Sequence, residues 1–142
     1  MLRAPVKRAR LFATAHGIYR AHVNGARVSD AEFAPEHTVY DKVLYVQSCP
    51  AEHLLTVGEN RLSFEVADGW YHCPQTHQDM REWSEHPGVL FQLNVEYEDG
   101  AAESFCSDGT ETCHTGNILY ADLYIGEKQD FTVNTGEEYP VV

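Results

Sequence analysis

Cations are scarce in this chain: ten Lys and Arg stand against 22 Asp and Glu in 142 residues, a formal net charge of -12. Such a field repels phosphate backbones and anionic lipid surfaces except at a local basic patch, so neither nucleic acid nor membrane is an expected partner. The one cationic cluster, Arg3, Lys7, Arg8 and Arg10, alternates with Val6, Ala9 and Leu11, the pattern of the solvated side of a first strand. Long apolar runs are missing too: nothing approaches the roughly 18 residues of a membrane helix. Met1 to Ala15 has neither the unbroken apolar stretch nor the cleavage site of a secretory signal. Cys49, Cys73, Cys106 and Cys113 have no CxxC spacing, and a chain of this size does not need disulfide staples. Reduced thiols, Cys106 and Cys113 included, and a cytoplasmic setting are the expectation. Internal repeats, low-complexity tracts and linkers are also lacking.

Helical periodicity is scarce, confined to one turn over Pro50 to Leu55 and another over Thr76 to Ser84. What is present is core material, 43% hydrophobic and 11% aromatic residues, in a length that suits a single domain over residues 1–142. From Val89 to Glu98, Val89, Phe91, Leu93, Val95 and Tyr97 alternate with Leu90, Gln92, Asn94, Glu96 and Glu98, the period of a half-buried strand. Asp99-Gly100 follows, a pair suited to the positive φ angles of a tight turn, and predicts an antiparallel return over Glu103 to Cys106. Asn24-Gly25 signals a second hairpin between Tyr19–Val23 and Val28. Shorter strands are predicted over Val6 to Thr14, Leu44 to Ser48, Arg61 to Val66, Asn117 to Tyr120 and Lys128 to Val133. Many short strands without helices predict an all-β, antiparallel β-sandwich.

The string Ala9 to Tyr19, then Val23 to Val28, Asp30 and Ala34-Pro35, resembles the N-terminal β-sandwich domain of bacterial α-L-rhamnosidases. Tyr40-Asp41-Lys42, Leu54-Leu55, Gly58-Glu59-Asn60, Asp68-Gly69-Trp70-Tyr71, Tyr97 to Gly100, Thr115-Gly116, Ile118-Leu119-Tyr120 and Gly126-Glu127 continue the likeness in family order. The resemblance implies a jelly-roll, galactose-binding-like accessory module of a larger glycoside hydrolase, with hydrolysis in a separate helical barrel. A non-catalytic role in carbohydrate recognition follows from it, with interdomain packing as the alternative; the partners would be L-rhamnose-containing glycans and the catalytic domain of a parent chain. Glycoside hydrolysis requires two carboxyl groups held across the scissile bond, and no pair of acidic residues here is singled out by spacing. No catalytic residue is assigned.

For binding, Trp70 and Tyr71 follow Asp68-Gly69 at the end of a strand, where loops gather; sugar rings stack on such aromatics, although large aromatics also fill cores. Asp30 lies just beyond the Asn24-Gly25 hairpin. The resemblance makes it the first ligand candidate, because some related modules bind rhamnose with calcium through an acidic residue at this place. Asp122 and Glu127 would be further contributors, Asp122 to calcium and Glu127 to sugar, calcium being a hard cation that takes several oxygens. Ala31 departs from that pattern by lacking a second polar ligand, so no cofactor is required and calcium stays an option. His72, Cys73, His77, Asp79, Glu85 and His86 match no zinc spacing. Glu111 stands near a place where the family commonly has tryptophan.

Overall fold

The computed structural model describes residues 1–71, 87–123, 126–133 and 139–140. Its centre is set by the alternation noted above. Strand β6 (Gly88–Tyr97) buries Leu93, Val95 and Tyr97 on one face and turns Leu90 and Gln92 outward. Strand β1 (Val6–His16) runs antiparallel beside it, with Leu11 opposite Leu93 and Ala9 opposite Val95. On its other side β1 pairs with β4 (Gln47–Pro50), while β6 continues to β7 (Ala102–Cys106), giving the order β4-β1-β6-β7. A second antiparallel sheet has β2 (Ile18–Val23) between the short β3 (Ala26–Arg27) and β5 (Leu62–Ala67).

The two sheets face each other across one core. Phe64 of β5 stacks on Phe91 of β6 with ring centres 5.3 Å apart, and Val23 joins Leu11, Leu93 and Val95 in the buried cluster. Burying each such aliphatic side chain contributes about 1.5–3 kcal/mol. Two small ribbons complete the described strands: β9 (Ile118–Asp122) with β10 (Gly126–Gln129), and β8 (Thr112–Cys113) with β11 (Tyr139–Pro140). A single 3-10 turn, Glu52–Leu54, is the helical element among the described residues, within the stretch where one turn was expected. The other expected turn, 76–84, lies outside the described residues. No helix among them is long and apolar enough to cross a membrane.

Both hairpins form, by different turns. Asn24 and Gly25 take φ of 52° and 81°, the mirror-image turn that matches strand twist. At the other hairpin Gly100 alone has positive φ, and the chain closes through Gly100 N–H to Tyr97 O and Tyr97 N–H to Ala101 O, a three-residue loop. Two predicted strands shift for local reasons. The pairing expected from Leu44 begins at Gln47, because Lys42 and Val43 N–H groups bond back to Val39 O and Thr38 Oγ1 donates to Val43 O. The strand expected over Lys128 to Val133 ends at Gln129, where Asp130 folds the chain by accepting bonds from Thr132 N–H and Oγ1–H.

The cationic strand face behaves as its pattern suggests. Arg3 forks onto Asp99 at 2.9 and 3.2 Å and lies 4.5 Å above the Tyr97 ring; Lys7 meets Glu96 and Arg10 donates to Ser48 Oγ. Cys49, Cys106 and Cys113 are free thiols.

Candidate functional site

Where β1 turns into β2, Gly17 holds φ of +120°, and a Cβ built there would sit 2.3 Å from Ala67 O. Across the contact Gly69, at φ +55°, has its own Cβ position 2.7 Å from Ile18 Cγ2. Neither position admits a side chain, so the β1–β2 corner lies directly against the turn that ends β5. Tyr71 N–H closes that turn onto Asp68 O. The loop after β3 is tied to the same corner by Tyr19 N–H to Ala34 O, beside a cis Ala34–Pro35 bond.

Three segments thus meet at one end of the sandwich, and their rings form a continuous chain. His16 stacks on Tyr71 at 4.4 Å with an interplanar angle of 11°, and Tyr40 sets its edge against Tyr71 at 5.1 Å. His37 bridges Tyr40 and Trp70 at 5.9 and 6.0 Å, and Phe33 meets Trp70 at 5.9 Å. The chain runs from inside to outside: Tyr40 and Tyr71 are buried, Trp70 is half-buried, and Phe33 and His37 are exposed. Trp70 is thus partly accessible beside the exposed Phe33 and His37, whereas Tyr71 is only 4% exposed. Tyr71 is packed against His16 and Tyr40, so the adjacent pair divides into one half-buried ring and one buried ring.

Asp30 is exposed on the loop that leads to Phe33. Its neighbours are held by guanidinium groups. Glu32 accepts from Arg20 at 2.6 Å and from Arg27 at 3.0 Å, Arg27 also donates to Ala31 O at 3.1 Å, and Ala31 N–H bonds to Ser29 Oγ. The bonds from Arg27 and then Arg20 hold the Glu32 carboxyl below its ordinary range. Glu127, exposed on β10, and Glu65 add their negative field at Arg20. The backbone of Asp122 pairs with Gly126 in the β9–β10 ribbon; its side chain, like His72, Cys73, His77, Asp79, Glu85 and His86, lies outside the described residues. No group of three His, Cys, Asp or Glu that could hold a metal ion occurs among the described residues.

Beneath the Ser29 to Ala31 loop is a cavity of about 20 Å³ bordered by Tyr19, Gln47 and Cys49. It has room for about one water and none for a sugar ring. Glu111 accepts from Asp108 N–H and Gly109 N–H, so the residue standing near a family tryptophan position caps a turn. Sequence reasoning missed Phe33 and His37 as partners of Trp70, His16 and Tyr40 as partners of Tyr71, and the Arg20–Glu32–Arg27 network. Tyr40, His16 and Arg27 carried a signal, through the Tyr-Asp-Lys, Ala9 to Tyr19 and Val23 to Val28 strings, but none of them was singled out.

The family model described as the alpha-L-rhamnosidase N-terminal domain matches residues 4–138. The chain belongs to this family. Among curated relatives, the α-L-rhamnosidase of Streptomyces avermitilis is 40% identical over 125 residues, 88% of this chain and 12% of that protein. An α-L-rhamnosidase of Formosa agariphila is 36% identical over 128 residues, again 88% of this chain and 14% of the relative. The crystal structure of the Streptomyces avermitilis enzyme complexed with L-rhamnose superposes with a TM-score of 0.87 at 38% identity, covering 92% of this chain and 13% of that one. The 142 residues thus supply an α-L-rhamnosidase N-terminal domain, not a whole rhamnosidase, and span about an eighth of the length of these relatives.

Proposed function

We propose that this domain is a non-catalytic accessory module of an α-L-rhamnosidase-type glycoside hydrolase and that it contributes to carbohydrate recognition through Trp70. The observation that carries this reading is the ring cluster of half-buried Trp70 with exposed Phe33 and His37, Phe33 lying on the Asp30 loop, in a domain of this family. A 6-deoxy sugar such as L-rhamnose offers an apolar face and a methyl group to such rings, while its hydroxyls can reach the indole N–H, His37 and the Asp30 carboxylate. Glu127 lies on the β9–β10 ribbon and is a more distant contributor, acting through the field it shares with Arg20.

Calorimetric titration with L-rhamnose tests the reading. Saturable heat that falls about tenfold or more in affinity in Trp70→Ala, with the melting temperature kept within a few degrees, is the expected result. Absence of heat from the wild-type domain at tens of millimolar sugar would remove it.

A second reading has its own observation. Val39, Val43, Tyr45 and Val46 are each about half exposed along one loop, an apolar strip suited to packing on the remainder of a longer chain. In that reading the domain is an interdomain spacer, and sugar heat is absent while the strip is protected from solvent in the intact parent protein.

A further inference from the structure

Calcium is the cofactor that the family resemblance brings to the Asp30 loop, and the loop can be asked whether its oxygens suit it. A calcium ion takes six to eight oxygen ligands, typically carboxylates and backbone carbonyls gathered from one or two loops. Beside Asp30 the Glu32 carboxylate, the Ala31 carbonyl and the Ser29 hydroxyl are already engaged. Both Glu32 carboxylate oxygens face guanidinium groups, at 2.6 Å from Arg20 and 3.0 Å from Arg27. The Ala31 carbonyl is taken by Arg27 Nη2 at 3.1 Å, and Ser29 Oγ accepts from Ala31 N–H at 3.1 Å. The Ala31 side chain has no donor to offer. Among the described residues a divalent ion at Asp30 would therefore find one carboxylate without an ionic partner and two fixed positive charges nearby, and that donor set does not fit it.

The same contacts show what orders the loop instead. Arg27 leaves β3 and spans the following loop, one nitrogen on the Glu32 carboxylate and another on the Ala31 carbonyl, so a single planar cation closes residues 27–32 into a ring. Arg20 fixes the far carboxylate oxygen to the middle strand of the sheet. A guanidinium bonded at two points to a carboxylate and a carbonyl satisfies two of the oxygens a bound metal ion would. We propose that Arg27, backed by Arg20, is a built-in cation that organises the Asp30 loop in place of calcium, and that the domain is calcium-independent. This rests on the preceding section only for the idea that sugar meets this end of the sandwich; the ionic substitution stands without it.

The test uses the purified chain and calcium chloride alone. Calorimetric titration of chelator-stripped protein is expected to give no saturable heat up to about 5 mM calcium. Amide hydrogen exchange at Ala31 and Glu32 is expected to be unchanged, within twofold, between calcium and chelator. Arg27→Gln, a surface substitution that leaves the core between the sheets untouched, is expected to accelerate exchange at those two amides by about tenfold or more while the β1 and β6 amides keep their protection. Stoichiometric calcium binding that slows exchange in this loop would overturn the proposal, as would Arg27→Gln exchanging at the wild-type rate. Should Arg27→Gln lose protection throughout, Glu32→Gln gives the same local reading from the other end of the contact. Since no sugar enters these measurements, failure of sugar binding and failure of calcium independence are separate outcomes.

Discussion

At the scale of single residues, neighbouring aromatics in the sequence have divergent fates. Trp70 and Tyr71 are adjacent, follow the same Asp-Gly turn and look equally suited to a sugar; one is only partly buried and the other is stacked on His16 in the interior. Composition and position named the pair but could not divide it, because the division depends on which ring Tyr40 and His16 reach once the loops close. Tyr19 offers a test of residue-scale burial. Its hydroxyl donates to Ala13 O, and burial first, with the nearby Cys49 side chain second, pushes its pKa up to about 12 from 10.0. A pKa raised on folding leaves stability untouched below the unfolded value and removes it as pH climbs toward the folded one. The domain should therefore lose stability between roughly pH 10 and 12 through this group, on the order of 1–2 kcal/mol once solvent screening is allowed for. In Tyr19→Phe the alkaline decline in urea midpoint should be visibly shallower; an unchanged slope would show that another tyrosine governs it.

At the scale of elements, strands were readable wherever one face meets the core and the other meets water. The period-2 run of β6 and the Asn24-Gly25 turn appear as expected because pleat and turn chemistry are local. The ends of β4 and β10 were not, since side-chain bonds from Thr38 and Asp130 divert the backbone, and such competition leaves no mark on hydrophobic period. The aromatic chain was illegible for a third reason: it joins three segments from different parts of the sequence. What brings those segments together is the closeness of Gly17 to Ala67 and of Gly69 to Ile18. Gly17→Ala must move Ala67 O and adopt a left-handed backbone, and it should cost about 2–4 kcal/mol. Because the contact lies next to Trp70, that variant should also shift the indole fluorescence maximum. A change of less than about 0.5 kcal/mol with an unmoved spectrum would mean that the corner does not hold the rings.

For the whole molecule, the acidic balance sets the pH profile. The Glu32, Glu96 and Asp99 carboxyls are held below their ordinary values, Glu32 by Arg27 and Arg20, Glu96 by Lys7, and Asp99 by Ala101 N–H and then Arg3. A carboxyl depressed on folding contributes stability above its unfolded pKa, and that contribution disappears as pH falls through the folded value. Melting temperature should be nearly level from pH 7 to 5 and drop once pH passes below about 4, as calorimetry at low salt would record. A fall already complete by pH 5.5 would assign the transition to histidines instead. The sheet order has a consequence for synthesis. Strand β1 emerges first yet sits between β4 and β6, and roughly 70 residues separate its end from the start of β6, several seconds of translation at ordinary ribosomal speed. For most of that interval an eleven-residue strand with Leu11, Phe12 and its neighbouring alanines can pair only with the four-residue β4, and its long partner β6 is not yet made. Nascent chains stalled before residue 88 should bind holdase chaperones, and those stalled with residue 97 well clear of the tunnel should release them.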